Sequence, residues 1–295
     1  RLTSGVRTIT PRSCHMGPRV TRLLRDLFER DAGYGGRAAC LEETLGAHYR
    51  GADGAHDAEK QLSFIVRESV SRHLGSGEIA VPAAALAEPF PGEGPPLLLG
   101  LMAPRGPGSI DGLATFEAYA EAFLGVVLRT YLVYGIALEA HGQNVLACFD
   151  GRGALTKFLL RAFAGIRIHE PTLRRLGLQL EVHRDRRTVV QEFDDHRFWL
   201  RHRVYHCHLG HIAHGLAAAT DVSERRYWQC AGDVTARVFE QLKGQGDAAH
   251  WARERRVLLE DAWDAKASLR MRLANQVRDL PYSAPNPFRS SGPGG

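Results

Sequence analysis

The chain has 295 residues, of which 44% are hydrophobic and 24% are charged, and its formal net charge is +5. This composition is typical of a globular protein with a large core and one or two domains. No apolar run of eighteen residues is present, so the sequence predicts no membrane span, and no signal peptide opens it.

Arginine supplies most of the positive charge, because lysine occurs at four positions alone (Lys60, Lys157, Lys243 and Lys266). The guanidinium group binds carboxylate and phosphate through a planar fork of donors. The arginine content is therefore compatible with an anionic substrate, a nucleotide or a nucleic-acid-binding face. It is equally compatible with the composition bias of a GC-rich genome. The five cysteines are scattered without a CxxC pair. That pattern favours free thiols in a reducing compartment, and we expect a cytoplasmic protein.

The first part of the chain mixes strands with one helix. Residues 1–10 alternate like a strand that ends at Pro11, and they read as an internal segment, so we expect the C-terminal part of a longer protein. A helix is predicted from Gly17-Pro18 onward. Residues 37–50 and 60–70 read as strands.

Proline and glycine then cluster at residues 86–96 and again shortly afterwards, which places a domain boundary near residue 105. The clearest helix follows at residues 111–134, where apolar side chains keep one continuous face. Gly135 is a natural stop for this helix.

The segment Leu138–Asn144 places polar side chains inside an apolar frame, namely Glu139, His141, Gln143 and Asn144. Burying such groups without partners costs about 1–3 kcal/mol each. The cluster is therefore either a satisfied core network or a site. A hairpin is predicted directly after it, with strands at 145–149 and 155–161 around the turn at Asp150. The helix and the hairpin would hold the cluster on rigid supports.

The remainder reads as mostly helical, at residues 194–218, 224–242 and 248–278, with a flexible tail at 290–295. Histidines crowd one of these helices, and two of their spacings suit zinc. No acid or cysteine pair accompanies them at matching spacing, so packed or surface histidines are favoured. The residues concerned are His202, His206, His208, His211 and His214.

Several segments, taken in order, resemble the NRPS-independent siderophore (NIS) synthetases, the aerobactin-synthetase-like family. The resemblance runs over essentially the whole chain, and the block Glu139-Ala-His-Gly-Gln-Asn144 is its most specific motif. The other segments are Thr3–Thr8, Gly17–Leu24, Arg161–Arg167, Lys266–Leu273 and Pro285-Asn-Pro.

The resemblance implies an α+β fold shaped like a cupped hand of thumb, fingers and palm. Residues 1–105 would be the C-terminal part of the fingers and residues 106–295 the palm. The implied enzyme is an ATP-dependent ligase of siderophore biosynthesis. It activates a citrate-like polycarboxylate as an acyl adenylate and joins it to a polyamine or amino-acid-derived nucleophile. No nucleic acid or membrane partner is expected, and a homodimer is possible.

The resemblance also implies site residues. His141, Glu139 and Gln143 would be catalytic, and Glu139 with Asn144 would hold Mg²⁺. ATP and its phosphates would be bound by Ser4, Arg7, Thr8, Thr21, Arg25 and Lys266, the last on the final helix. From the residues alone, Ser4, Arg7, Thr8 and Thr21 are able to converge on an anion, but a solvated basic helix face is the more common explanation.

One departure from the family pattern stands out. The family's hairpin usually reads Arg-Asp-Phe-Gly, with the Asp as a magnesium ligand, whereas this chain has Arg161-Ala-Phe-Ala164. Three explanations stay open: a weakened enzyme, a non-catalytic copy that binds nucleotide or substrate, or a nearby carboxylate such as Asp150 in compensation. A basic nucleic-acid-binding protein is disfavoured, because arginines spread over every helix and aromatics lie in apolar stripes.

Overall fold

The computed structural model describes residues 9–50, 62–89, 94–102, 111–275 and 280–289. The predicted tail at 290–295 and most of the predicted strand at 1–10 lie outside these residues. The helices are α1 (Pro11–Arg30), α2 (Leu97–Met102), α3 (Gly112–Tyr134), α4 (Glu170–Arg175), α5 (the continuous segments Asp194–Leu200, Arg201–Leu209 and Gly210–Ala219), α6 (Glu224–Leu242), α7 (Ala248–Leu259) and α8 (Ser268–Leu273). Within this part of the chain, no helix combines the length and apolar character needed to cross a membrane.

The strands are β1 (Ala38–Cys40), β2 (Glu43–His48), β3 (Ser63–Arg67), β4 (Ile79–Pro82), β5 (Ile136–Ala137), β6 (Val145–Phe149), β7 (Leu155–Leu160), β8 (Arg167–His169), β9 (Val189–Val190), β10 (Trp263–Lys266) and β11 (Pro281–Ala284). They form a four-stranded sheet in the order β1-β7-β6-β4, a three-stranded sheet in the order β5-β8-β9, and the pairs β2-β3 and β10-β11. β1 runs parallel to β7, and β9 runs parallel to β8. The mixture of helices and sheets confirms the predicted α+β class.

The predicted start of the first helix was wrong. α1 begins at Pro11 and continues through Pro18. The Thr10 hydroxyl accepts a hydrogen bond from the Ser13 amide at 3.2 Å, which caps the helix, and Pro11 suits the first helical position. The cap at Thr10 therefore outweighs the Gly-Pro signal further along the chain.

The predicted helix at 248–278 was also wrong beyond Leu259. The Trp263 indole and the Asn286 amide both donate to the Leu258 carbonyl at 3.0 Å, which satisfies a carbonyl at the end of α7. The chain then enters β10, which pairs antiparallel with β11. Pairing with a distant strand therefore overrides the helical periodicity. Similarly, the single strand predicted at 37–50 divides into β1 and β2.

α3 confirms its prediction and forms the centre of the core. It packs against α6 on one side, and its aromatic side chains Phe116, Tyr119 and Phe123 are fully buried. Gly135 ends it in the left-handed conformation with φ 67°. Strands from both sides of residue 105 share the four-stranded sheet, and one continuous core includes residues from both parts. The division near residue 105 stays a prediction, and it does not separate two independent cores.

Candidate functional site

The motif Glu139–Asn144 lies in the turn between β5 and β6, framed by the end of α3 and the predicted hairpin. Glu139 and Asn144 are buried, His141 is half-buried and Gln143 is exposed. The Asn144 side-chain amide donates to the Glu139 carbonyl at 3.1 Å. The Arg161 amide donates to the Asn144 carbonyl at 3.0 Å, and its guanidinium donates to the Gln143 carbonyl at 3.0 Å. The end of β7 is therefore tied directly to the motif.

The Glu139 carboxylate is enclosed between an arginine and a glycine. The Arg203 guanidinium lies 3.2 Å from Glu139 Oε1, and the two side chains are 6% and 4% exposed. A β-carbon on Gly165 would overlap the same carboxylate. Gly165 thus lets the carboxylate lie against the backbone of the turn that follows β7.

Three arginines hold this turn. Arg12 donates to the Ala164 carbonyl at 3.1 Å, Arg203 to the Gly165 carbonyl at 2.6 Å, and Arg167 to both the Gly165 and Ile166 carbonyls at 3.1 and 3.0 Å. Burial lowers the pKa of Arg12 and of Arg167, and the charge of Arg12 lowers the pKa of Arg167 further. Crowded, partly desolvated guanidinium groups favour an anion.

The Trp199 indole contacts two of these cations. The guanidinium carbons of Arg203 and Arg167 are 4.4 and 5.4 Å from its ring centroid. Such contacts stabilise a desolvated cation by about 2 kcal/mol. Sequence reasoning missed Arg12, Arg203 and Trp199. No local signal marked Arg203, because its neighbours Arg201, His202 and His206 are polar as well.

The middle of α5 (Arg201–Leu209) is a π-helix, in which Gly210 N–H donates to the Tyr205 carbonyl. His208 is fully enclosed there, and its ring contacts the Ala140 carbonyl at 3.0 Å and the Tyr119 hydroxyl at 2.7 Å. Burial lowers the pKa of His208 to about 3, so the ring is neutral. His211 contacts the Ala84 carbonyl at 3.0 Å. These two histidines fasten backbone segments around the motif.

The structure does not bring Thr21 and Arg25 to this turn. The Thr21 hydroxyl donates to the Gly17 carbonyl and accepts from the Glu43 amide, while Arg25 pairs with Asp26 and Glu42. At 1.5 Å per residue, they lie roughly 14 and 20 Å beyond Arg12 along the axis of α1. The partners of both side chains are therefore residues of α1, Glu42 and Glu43. Ser4, Arg7 and Thr8 lie outside the described residues.

Lys266 ends β10, so its predicted place on the final helix was wrong, for the pairing reason given above. The positive charges of Lys266 and Arg203 both act on the Cys207 thiol, which belongs to the π-helical segment of α5. Lys266 therefore lies near Cys207 of α5. Whether it contacts phosphate stays a prediction.

The described residues do not fit a protein-held Mg²⁺. Ala162 offers no ligand, the Glu139 carboxylate is ion-paired with Arg203, and no three acidic, histidine or cysteine side chains of the described ranges come together to hold a metal. The Asp150 carboxylate accepts the amides of Arg152 and Ala154 at the far end of the hairpin. Compensation by Asp150 was therefore a wrong explanation, and magnesium stays a prediction.

Two family models match the chain. One, described as the IucA / IucC family, matches residues 1–88, and the other, described as ferric iron reductase FhuF-like transporter, matches residues 116–280. Among curated proteins, an uncharacterized protein y4xN of Sinorhizobium fredii is 33% identical over 98% of this chain and 48% of its own length. The D-ornithine–citrate ligase of Staphylococcus aureus is 26% identical over 95% of this chain and 46% of its own length. The chain thus spans about half the length of the curated relatives it matches.

Solved structures share the fold. The petrobactin biosynthesis protein AsbB of Bacillus anthracis aligns with a TM-score of 0.81 and 21% identity over 96% of this chain and 48% of its own. The ATP-bound aerobactin synthetase IucA of Klebsiella pneumoniae aligns with a TM-score of 0.74 and 18% identity over 98% of this chain and 50% of its own. These likenesses confirm the expected fold. The chain belongs to the aerobactin-synthetase-like NIS synthetase family, with an FhuF-like region over residues 116–280.

Proposed function

We propose that the protein acts in siderophore biosynthesis and activates a citrate-like polycarboxylate with ATP, as an acyl adenylate, for condensation with an amine or hydroxyl nucleophile. The observation that carries this proposal is the motif Glu139–Asn144 enclosed with Arg12, Arg167 and Arg203 around one turn. Relatives that match at least 95% of this chain are named as a citrate ligase and a siderophore synthase, which supports synthesis over the reductase in the FhuF-like description.

The charge balance of this region supports an anionic substrate. Two acidic side chains, Glu139 and Asp185, face three buried or half-buried arginines, and Arg187 adds a fourth positive charge beside Asp185. Adenylation joins a carboxylate to the α-phosphate of ATP, and the charge that develops there requires cations and donors. The arginines that contact this turn provide these cations and donors, and their charge does not depend on pH near neutrality.

In this proposal the half-buried His141 donates a proton or a hydrogen bond to the reacting carboxylate or phosphate. Gln143, exposed beside it, supports the same contact, and Glu139 orders the motif. Ser4, Arg7, Thr8 and Lys266 contact ATP. Thr21 and Arg25 act by holding α1 against β2 and the residue before it, since Thr21 contacts Gly17 and Glu43 and Arg25 pairs with Asp26 and Glu42.

The alternative is a family member that binds nucleotide or substrate without turnover. Ala162 favours this alternative, because it follows Arg161, which is bonded to Asn144, and its methyl side chain cannot ligate a metal. Calorimetry distinguishes the two. ATP binding without pyrophosphate release at saturating polycarboxylate and nucleophile would select the non-catalytic protein.

The test of the enzyme is ATP-dependent pyrophosphate release by the purified protein with citrate and a diamine. His141→Ala is expected to lower the rate by roughly 100-fold, because a positioned proton donor contributes about that factor. His214→Ala is the matched control, since His214 is exposed and pairs with Glu224 on the next helix. An unchanged rate in His141→Ala would contradict the assignment of this motif.

A further inference from the structure

Arg203 is a permanently charged side chain in an enclosed place. Its side chain is 6% exposed, and its guanidinium group stays protonated at every accessible pH. A buried charge is tolerated where ion pairs and hydrogen bonds replace water. Here the replacements are the Glu139 carboxylate at 3.2 Å, the Gly165 carbonyl at 2.6 Å and the Trp199 ring at 4.4 Å.

These contacts join two segments that are distant in sequence. Glu139 opens the motif, and Gly165 closes the turn after β7, yet one guanidinium group binds both. Because Gly165 has no β-carbon, the carboxylate also lies directly against that turn. The position of Glu139 is therefore defined by Arg203 on one side and by Gly165 on the other.

The π-helical segment of α5 explains how one helix reaches two neighbouring residues of the motif. A π-helix closes hydrogen bonds over five residues, so side chains five apart lie nearly above one another. Arg203 and His208 have this spacing. Arg203 binds the side chain of Glu139, and His208 binds the carbonyl of Ala140.

We propose that Arg203 is a positioning residue that fixes the Glu139 carboxylate against the turn at Gly165 and so orders the motif for the reaction. The inference rests on the proposed function, and it assigns Arg203 an action through Glu139. Arg12 and Arg167 donate to carbonyls of the same turn, and Arg203 binds both that turn and the Glu139 carboxylate.

The experiment compares Arg203→Gln with Arg203→Lys and with the matched control Arg201→Gln. Arg201 belongs to the same π-helical segment and is 4% exposed, but it pairs with Asp264 and the Ala262 carbonyl, away from the motif. All three variants change a buried guanidinium group. Arg203→Gln removes the charge, and Arg203→Lys keeps the charge without the fork that spans Glu139 and Gly165.

In the pyrophosphate-release assay, Arg203→Gln is expected to lower kcat at least tenfold and to change the KM for ATP less than threefold. Arg203→Lys is expected to recover part of the lost kcat. Arg201→Gln should keep kcat within threefold. An unchanged kcat in Arg203→Gln, or an equal loss in Arg201→Gln, would overturn the inference.

Amide hydrogen exchange supplies a readout that needs no activity. Arg203→Gln should speed exchange in peptides covering residues 138–145 and 161–167, and Arg201→Gln should not. If the native protein releases no pyrophosphate but this exchange pattern holds, the proposed function fails, while the positioning of Glu139 by Arg203 is still supported. Equal exchange rates in these peptides for Arg203→Gln and Arg201→Gln would contradict the positioning of Glu139 by Arg203.

Discussion

The Glu139 carboxylate lies directly against the α-carbon of Gly165, where a β-carbon would overlap it. The contact joins the motif to the turn that the family pattern pairs with it, across 26 residues of sequence (165 − 139). It also depends on the absence of one side chain, which makes it simple to test.

Gly165→Ala is therefore expected to lower the free energy of unfolding by about 1–3 kcal/mol, the usual cost of overpacking an enclosed site. Urea denaturation measures it. Gly125→Ala is the matched control, because an added β-carbon there meets no atom within 4 Å in the middle of α3. That control should gain about 0.5–1 kcal/mol from helix propensity. Equal stability of the native protein and Gly165→Ala would show that the Glu139 carboxylate moves away from the added β-carbon without cost.

Ala162 adopts φ 64° and ψ 79°, in the left-handed region that disfavours a β-carbon. Ala162→Gly is expected to raise the free energy of unfolding by up to about 1 kcal/mol, because glycine removes this strain at the cost of some unfolded-state entropy. Ala164→Gly is the control, since Ala164 is not among the positive-φ residues of the described chain. It should lose stability. A loss in both variants would show that Ala162 is unstrained.

Ala162→Asp restores the carboxylate of the family pattern, and aspartate tolerates the left-handed region better than alanine. We expect it to raise the affinity for Mg²⁺, measured by calorimetric titration, and to raise pyrophosphate release. Ala162→Asn has the same backbone preference without the charge and serves as the control. No gain in either measurement for Ala162→Asp would mean that Ala162 is neutral in this protein.

Acid should destabilise the protein through its enclosed histidines. Burial lowers the pKa of His196 and of His208 to about 3, and that of His250 to about 4. These rings are neutral when folded and take up protons when unfolded below about pH 6.5. Stability is therefore lost as the pH falls from about 6.5 toward 3, by up to about 2 kcal/mol per ring at pH 5.

Urea denaturation at pH 7.5 and pH 5.0 measures this loss. His196→Gln removes one enclosed titrating group and should reduce the difference between the two pH values by roughly 1–2 kcal/mol. His214→Gln, at an exposed position, should leave the difference unchanged. A native protein equally stable at both pH values would contradict the assignment of neutral, enclosed rings.

The sequence by itself determined the local architecture around the motif. Periodic apolar residues and a left-handed glycine define α3 and its end at Gly135, and alternating strands around the turn at Asp150 define the β6-β7 hairpin. Each of these signals acts within a few residues. The polar groups between apolar segments indicated either a satisfied core network or a site, and the resemblance favoured the site.

The tertiary structure alone decided what surrounds the motif. Arg12, Arg167 and Arg203 come from α1, β8 and α5, and no local pattern links residues so far apart. The π-helical register of α5 and the pairing that turns the end of the predicted last helix into β10 depend on contacts with distant residues as well. The contacts of α5 bring Arg203 to Glu139, because a buried charge is stabilised by whichever partners the completed fold brings within reach.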